Sequence, residues 1–324
     1  MMCNWLKWCG IAALLLSAGF SIQTPLPQGH ALAQFVTNTP LSPFQAPASS
    51  AAALSPTPRV TPTLSVTVVP FTEMYVFERP IPRADDLQDF ATRVYPYGGT
   101  QFGQFDVHLG LDFINPRFTP VLAAGSGTVI YAGSDADVLF GPYLNYYGNL
   151  VVIAHDLQSV EGLPVYTLYA HLERVDVAAG AQVATGDVIG AVGATGIALG
   201  PHLHFEVRVG SPTDYLATRN PDFWIKPYPG FGTLAGRVTA DGADVRGQVV
   251  LIRREGRTRE AYVYGGDRVN SDPSWNENFT HGDLPAGVYE VIVSERGRIR
   301  FQSEVTIEAG RTTFIEIPLR PLTR

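Results

Sequence analysis

Gly200-Pro201-His202-Leu203-His204-Phe205-Glu206-Val207-Arg208 sets two imidazoles on one face of a predicted strand. Side chains at i and i+2 of a strand point the same way and sit about 6.5 Å apart, close enough to share a metal ion and the water bound to it. The upstream stretch His108-Leu109-Gly110-Leu111-Asp112 adds another histidine and a carboxylate. Fully extended, it would hold its end Cα atoms about 13 Å apart, too far for both side chains to reach one ion. The chain is therefore expected to bend here, and Gly110 is the residue that permits it. Two neutral imidazoles, one carboxylate and a fourth position left for water make the donor set of a catalytic rather than a structural zinc. Spacing alone leaves open which three groups bind, because His202 and His204 share a face and His171 could join either.

Around these stretches the sequence reads as nearly all strand. Val121 to Tyr131, Leu150 to His155, Val165 to His171, Val183 to Val192 and Leu203 to Val209 are short β-branched or aromatic runs punctuated by glycines. That is the pattern of an antiparallel sheet assembly. The glycines between Gly180 and Gly200 are read as tight hairpins rather than a phosphate cradle, since no helix follows to supply an N-terminus. A short helix is expected over Asp85 to Val94, leading into this region.

The combined motifs resemble the lysostaphin/LytM-type zinc endopeptidases, which cut peptides in bacterial peptidoglycan. The matching stretches begin with His108-x-Gly110-x-Asp112-Phe113 and Pro120-Val121-x-Ala123-Ala124-x-Ser126-Gly127-Thr128-Val129. They continue through Tyr147-Gly148-Asn149-x-Val151-Val152-Ile153-x-His155, Leu168-Tyr169-Ala170-His171-Leu172 and Gly186-Asp187-x-Ile189-Gly190-x-Val192-Gly193-x-Thr195-Gly196, and end at Gly200-Pro201-His202-Leu203-His204-Phe205-Glu206. The resemblance implies His108, Asp112 and His204 as zinc ligands, with His171 and His202 as catalytic histidines. It also implies a folded antiparallel sheet with Zn2+ in a groove between loops, Tyr143 to Tyr147 lying on one of them. Chemistry agrees with the division, because amide hydrolysis needs a nucleophile that zinc can generate and a proton carrier that imidazole can be. Glu206 shares the face of His202 and His204 and is read as a salt-bridge or supporting residue, not as the base.

Two of the other histidines are read as bystanders. His155 ends a strand and is read as structural, and His281, beside Gly282, is expected on a surface loop. The seventh, His30, belongs to the N-terminal leader. Residues 1 to 33 have a secretory pattern: Lys7 in a short head, an apolar run from Ile11 to Phe20, and Ala31-Leu32-Ala33 as a cleavage site. The apolar run is too short to span a bilayer, so no membrane span is expected once the signal is removed. Both cysteines, Cys3 and Cys9, lie inside it, which excludes a structural disulfide or a cysteine nucleophile in the mature chain. A secreted or cell-envelope location follows. From Gln34 to Pro70 the chain is rich in Pro, Thr, Ser and Ala with one charge, Arg59, the composition of a disordered spacer.

The chain of 324 residues thus divides into a signal (1–33), a linker (34–70), a peptidase region (71–230) and a further unit (231–324). In the last, Leu234 to Val238, Gln248 to Ile252, Glu260 to Tyr264, Val288 to Val293, Phe301 to Ile307 and Thr313 to Ile317 alternate in period two. They predict a small β-sandwich, and Leu284-Pro285-Ala286-Gly287-Val288-Tyr289 resembles a carboxypeptidase-regulatory-like or transthyretin-like one. Arg253, Arg254, Arg257 and Arg259 are read as a solvated hairpin tip, and the unit is a possible site for a wall or protein ligand.

The net charge of −7 leaves no basic footprint for nucleic acid. A biotinyl or lipoyl carrier would need a lysine at a hairpin tip, and Val175 to Gly196 contains none. The expected function is a secreted zinc metalloendopeptidase acting on the cross-links or stem peptides of peptidoglycan. The alternative is a catalytically silent wall-binding or hydrolase-activating scaffold, whose members typically lose zinc ligands that this chain retains.

Overall fold

The computed structural model describes residues 73–266 and 268–319. The expected leader, with Cys3, Cys9 and His30, and the expected spacer, with Arg59, lie outside these residues. Among the described residues no helix is long and apolar enough to cross a membrane.

Among the described residues the regular secondary structure is all strand except for one 3-10 turn, Pro221–Phe223. The first ten strands are β1 (Leu111–Phe113), β2 (Pro120–Leu122), β3 (Gly127–Ser134), β4 (Asn149–Gln158), β5 (Pro164–Ala170), β6 (Leu172–Val175), β7 (Gln182–Val183), β8 (Val188–Val192), β9 (Leu203–Val209) and β10 (Thr218–Arg219). A seven-stranded sheet runs β1-β9-β5-β4-β3-β7 with β10 also on β9, and β2-β8-β6 form a second sheet of three. All these pairings are antiparallel.

β9 is flanked on both edges, so every one of its seven residues is buried. Its pleat sorts them. Leu203, Phe205, Val207 and Val209 enter the main core with Phe113, Val151, Ile153 and Tyr169. His204, Glu206 and Arg208 face the other way, beside a smaller core of Phe140, Tyr147, Leu150, Val152, Leu168 and Ala170. Three buried polar residues in alternation on a central strand are tolerable only if they satisfy one another.

Two expected strands are broken. Val121 to Tyr131 splits into β2 and β3, because Ala123-Ala124-Gly125-Ser126 crosses from the small sheet to the large one. On the way Ala123 N–H donates to the Asp187 carbonyl, at 2.9 Å, and Ala124 N–H donates to the Tyr169 hydroxyl, at 2.8 Å. Val183 to Val192 splits likewise into β7 and β8 around the Ala184–Asp187 turn. The expected helix over Asp85 to Val94 does not form. Its backbone groups are claimed from outside: Gln88 N–H donates to Asn115 Oδ1 and Asn115 Nδ2 donates back to the Gln88 carbonyl, both at 2.9 Å, while Thr92 N–H donates to the Asp112 carbonyl at 2.8 Å.

From Phe231 onward come β11 (Phe231–Ala240), β12 (Ala243–Asp244), β13 (Val249–Arg254), β14 (Arg257–Tyr262), β15 (Phe279–Pro285), β16 (Gly287–Glu295), β17 (Arg298–Ile307) and β18 (Thr312–Leu319). One sheet holds β12-β11-β15 with β18 on β11, the other β14-β13-β16-β17, and they share a core around Leu234, Ile252, Phe279, Tyr289, Val291 and Val305. The sandwich is thus present, with one departure from antiparallel order: β18 runs parallel to β11. The arginine hairpin turns at Glu255-Gly256, both at positive φ, with Arg253 and Arg257 exposed and Arg254 stacked over Tyr289. His281 is not on a surface loop. It lies buried in β15, where its Nδ1–H donates to the Gly282 carbonyl at 2.8 Å.

Just before β15, Glu277 is fully buried and accepts from the Tyr264 hydroxyl (2.6 Å) and Asp272 N–H (2.9 Å). Burial raises its pKa from 4.5 to about 8. A carboxyl shifted upward stays protonated in the folded chain after the unfolded chain has ionised, so stability falls as pH rises between those values. The slope there reaches about 1.4 kcal/mol per pH unit. Urea unfolding of Glu277→Gln at pH 5 and pH 8 should show a much smaller loss between the two than the wild type shows. Equal losses would contradict the assignment.

Candidate metal centre

Asp112 and His204 are cross-strand partners in the β1–β9 ladder, so their side chains meet on one face. His108 comes from the bend just before β1. Its Nε2 lies 3.0 Å from Asp112 Oδ1 and 3.0 Å from His204 Nδ1, and the latter two atoms are 2.9 Å apart. All three residues are buried or nearly so, and they form the group of potential metal donors among the described residues. A tetrahedral ion with bonds of about 2.0–2.1 Å holds its donors about 3.3 Å apart, so this triangle fits a zinc-sized cation with little adjustment.

The bend is made as the sequence requires, but not for the expected reason. Gly110 is not at positive φ; a Cβ there would lie 2.7 Å from His204 Cε1 and 2.5 Å from the Phe205 carbonyl oxygen. Glycine is needed because the backbone passes against the His204 ring.

His204 is oriented from behind. Its Nε2–H donates to Glu206 Oε1 at 3.0 Å, which leaves the Nδ1 lone pair facing Asp112 and His108. Glu206 also accepts from Arg208 Nε at 2.7 Å and from the Tyr147 hydroxyl. Arg208, fully buried, donates further to the carbonyls of Pro212 (2.9 Å) and Phe140 (3.1 Å). Burial works against ionisation of Glu206, yet the Arg208 guanidinium and His204 hold its pKa down to about 2. Burial likewise disfavours a charge on Asp112, which His108 and His204 nevertheless keep well below the usual carboxylate range. His204 shows the converse: burial pushes it down, but Asp112 and Glu206 raise its pKa to about 9. Two carboxylates flanking one imidazole make this a place that favours positive charge.

His171 and His202 stand beside the triangle, their ring centroids 4.8 Å apart. His171 Nδ1–H donates to the Thr195 carbonyl and His202 Nδ1–H to the Gly200 carbonyl, each at 2.8 Å. Both rings therefore turn Nε2 away from the backbone as an acceptor, and His202 Nε2 lies 3.7 Å from Asp112 Oδ1. Burial, then the neighbouring His202 and His204, lower the His171 pKa to about 3; burial also lowers that of His202. His171 occupies φ +61° directly after β5, a conformation that costs a non-glycine residue of order 1–3 kcal/mol and is held here by its N–H donating to the Tyr147 carbonyl at 3.0 Å.

The four histidines and one aspartate singled out from sequence thus converge. His155 stays apart, its Nδ1–H donating to the Ser126 carbonyl at 3.0 Å and its ring packed on Phe77. The sequence reading missed Tyr95, whose ring stacks on His108 with centroids 4.4 Å apart and planes 13° from parallel. No spacing rule connects Tyr95 to His108, since the link is a loop folding back. Tyr143 is half exposed and meets Tyr146 edge-on, while Tyr146 also meets Tyr147 and Tyr215.

The chain is similar to the DD-carboxypeptidase/endopeptidase Mpg of Neisseria meningitidis, 37% identical over 133 residues that make up 41% of this chain and 26% of that protein. It is similar to the peptidoglycan DD-endopeptidase ShyC of Vibrio cholerae, 37% identical over 107 residues, 33% of this chain and 21% of that one. A solved zinc-containing peptidase from Vibrio cholerae is 32% identical, with 41% of this chain and 37% of that one covered at a TM-score of 0.33. The chain therefore spans about a quarter of the length of these curated relatives. Residues 106–215, which hold all five of the converging side chains, match the family model described as peptidase family M23, and it is to that family that this stretch is similar.

Proposed function

We propose that the chain is a secreted zinc metalloendopeptidase that hydrolyses peptide bonds in the cross-links or stem peptides of bacterial peptidoglycan. The observation that carries this reading is the triangle of donor atoms on His108, Asp112 and His204 with two further imidazoles beside it, each held by Nδ1 to a backbone carbonyl. The match of residues 106–215 to family M23, and relatives named as a peptidoglycan DD-endopeptidase and a DD-carboxypeptidase/endopeptidase, support the substrate class. Under this reading residues 1–33 export the chain, 34–70 space it from its anchor or surroundings, 71–230 cut, and 231–324 form an accessory unit open to a wall or protein ligand.

A zinc ion held by His108, Asp112 and His204 supplies Lewis acidity and a water ionisable near neutral pH. The remaining work falls to His171 and His202. Because each Nδ1–H is committed to a backbone carbonyl, each ring enters the reaction as an acceptor at Nε2. One takes a proton from the attacking water and then has an N–H to give the departing amine nitrogen. The other faces the carbonyl oxygen and takes up a proton from solvent at Nε2 as negative charge develops there, after which its Nε2–H donates to the oxyanion and steadies it. The downward shifts from burial keep both rings neutral before substrate arrives.

Purified peptidoglycan incubated with the wild type and with His204→Ala, with fragments identified by mass spectrometry, tests this. New peptide termini are expected with the wild type alone, and their chemistry names the bond. No release from several wall types by a chain that binds zinc would overturn the peptidase reading in favour of a silent scaffold.

A further inference from the structure

We infer that the C-terminal sheets are a brace for the metal-binding loop, acting on it through Tyr264 and through the Arg93–Asp222 pair that β15 holds, and that Arg93, Asp222 and Tyr264 are positioning residues for the cation site. This rests on the metal reading above.

The segment 92–99 holds both donors contributed by the first half of the site. Thr92 N–H donates to the Asp112 carbonyl at 2.8 Å. Tyr95 stacks on the His108 ring. Gly98 N–H donates to the His108 carbonyl at 2.7 Å, and His108 N–H donates to the Gly99 carbonyl at 2.9 Å. This segment has no regular secondary structure of its own, so something else must fix it.

Its other face is fixed by the chain beyond residue 217, in two places. Arg93 Nη1 pairs with Asp222 Oδ2 at 2.6 Å, and the same carboxylate oxygen accepts from Thr280 Oγ1 at 3.2 Å and Gly282 N–H at 3.3 Å, both on β15. Gly98, at φ +74°, lies so close to Tyr264 that a Cβ would sit 2.4 Å from that residue's own Cβ. Tyr97 meets Tyr264 edge-on with centroids 5.6 Å apart and donates its hydroxyl to the Asn270 carbonyl at 3.2 Å. Tyr97, Leu109 and Tyr264 form a small buried core with Val107, Tyr215, Tyr262 and Val269 packed against it. The loop is therefore sandwiched, donors on one side and C-terminal residues on the other. A brace of this kind acts as an outer partner of a metal ligand does, by restricting where the ligand can stand, and loss of such a partner typically weakens metal affinity 10- to 100-fold.

The test compares Arg93→Gln and Tyr264→Leu with Tyr289→Leu, all in the full chain. Tyr289 is buried in the C-terminal core, its hydroxyl donates to the Pro285 carbonyl, and it takes no part in the contacts just described. Three readouts are taken: zinc affinity by competition with a chromophoric chelator, the visible spectrum of the cobalt-loaded protein, and amide exchange at Gly98 and His108 without added metal. Arg93→Gln and Tyr264→Leu should lower zinc affinity by about tenfold or more, change the cobalt bands and speed the two amides. Tyr289→Leu should lower the melting temperature yet leave affinity within about twofold, as expected for sites that share no partner. Unchanged affinity and exchange in the first two variants, or equal losses in all three, would overturn the brace. Should Arg93→Gln fail to fold, Arg93→Lys keeps the charge against Asp222 and is read for the same spectral change, with an unaltered spectrum counting against the inference. A wild-type chain that takes up no divalent cation overturns the metal reading itself; amide exchange then decides the brace, faster exchange in Tyr264→Leu supporting it and unchanged exchange overturning it.

Discussion

His171→Ala is expected to lower the rate of peptide-bond hydrolysis by about 10²- to 10⁴-fold, and His202→Ala by a comparable factor, while zinc affinity changes by less than about threefold. The two effects separate because the donor triangle is assembled without these rings. Asp112 and His204 are brought together by the β1–β9 register, His108 by the bend before β1, and the orientation of His204 by Glu206. His171 and His202 instead take their orientation from the Thr195 and Gly200 carbonyls. Removing either leaves three donors and deletes a proton carrier. Steady-state hydrolysis of a wall-derived peptide, measured beside zinc content, checks both halves. Wild-type turnover by both variants with zinc bound would remove the two histidines from the mechanism; loss of zinc from both would make them part of the binding shell.

Local signals carried most of the strand pattern and singled out the five side chains that the fold gathers, though not Tyr95 or which of them form the triangle. Leu203–Val209 is found over the expected residues because β-branched and aromatic residues alternate there with residues that need each other, His204, Glu206 and Arg208. The spacing His108-x-Gly110-x-Asp112 announced a bend, although steric room for the His204 ring, not φ, is what reserves position 110 for glycine. What stayed illegible depends on distant partners. Asp85 to Val94 has helical spacing, but Asn115 and Asp112 claim its backbone groups. β15 escaped notice because Thr280, His281 and Asp283 break its apolar alternation, and those residues are polar because they meet Asp222, the Gly282 carbonyl and Arg79 respectively. The break between β2 and β3 is likewise set by contacts with Asp187 and Tyr169, more than 40 residues away along the chain.

Glu206→Ala should be the most damaging single change outside the donor set, and it should damage two things at once. Glu206 and Arg208 are both fully buried, and removing the carboxylate leaves a guanidinium in the interior with only the Phe140 and Pro212 carbonyls and the Tyr147 hydroxyl to receive it. Breaking one side of such a pair costs about 3–5 kcal/mol. It also frees Nε2 of His204, whose ring orientation then loses its anchor, so zinc affinity should fall by about 10- to 100-fold. A double variant, Glu206→Leu with Arg208→Met, divides these effects. With both charges gone the desolvation penalty vanishes and stability should recover to within about 1 kcal/mol of wild type, as replaced buried pairs often do. Zinc affinity should not recover, because leucine offers His204 no acceptor. Urea unfolding and zinc titration of the two variants measure the terms independently. Recovery of affinity along with stability would show that Glu206 serves only to neutralise Arg208. Because the Glu206 pKa is depressed to about 2 in the folded chain, its stabilising contribution is present above the ordinary carboxylate range and is lost as pH falls from about 4.5 toward 2. The wild type should therefore lose stability over that acid window, and the double variant should lose less of it.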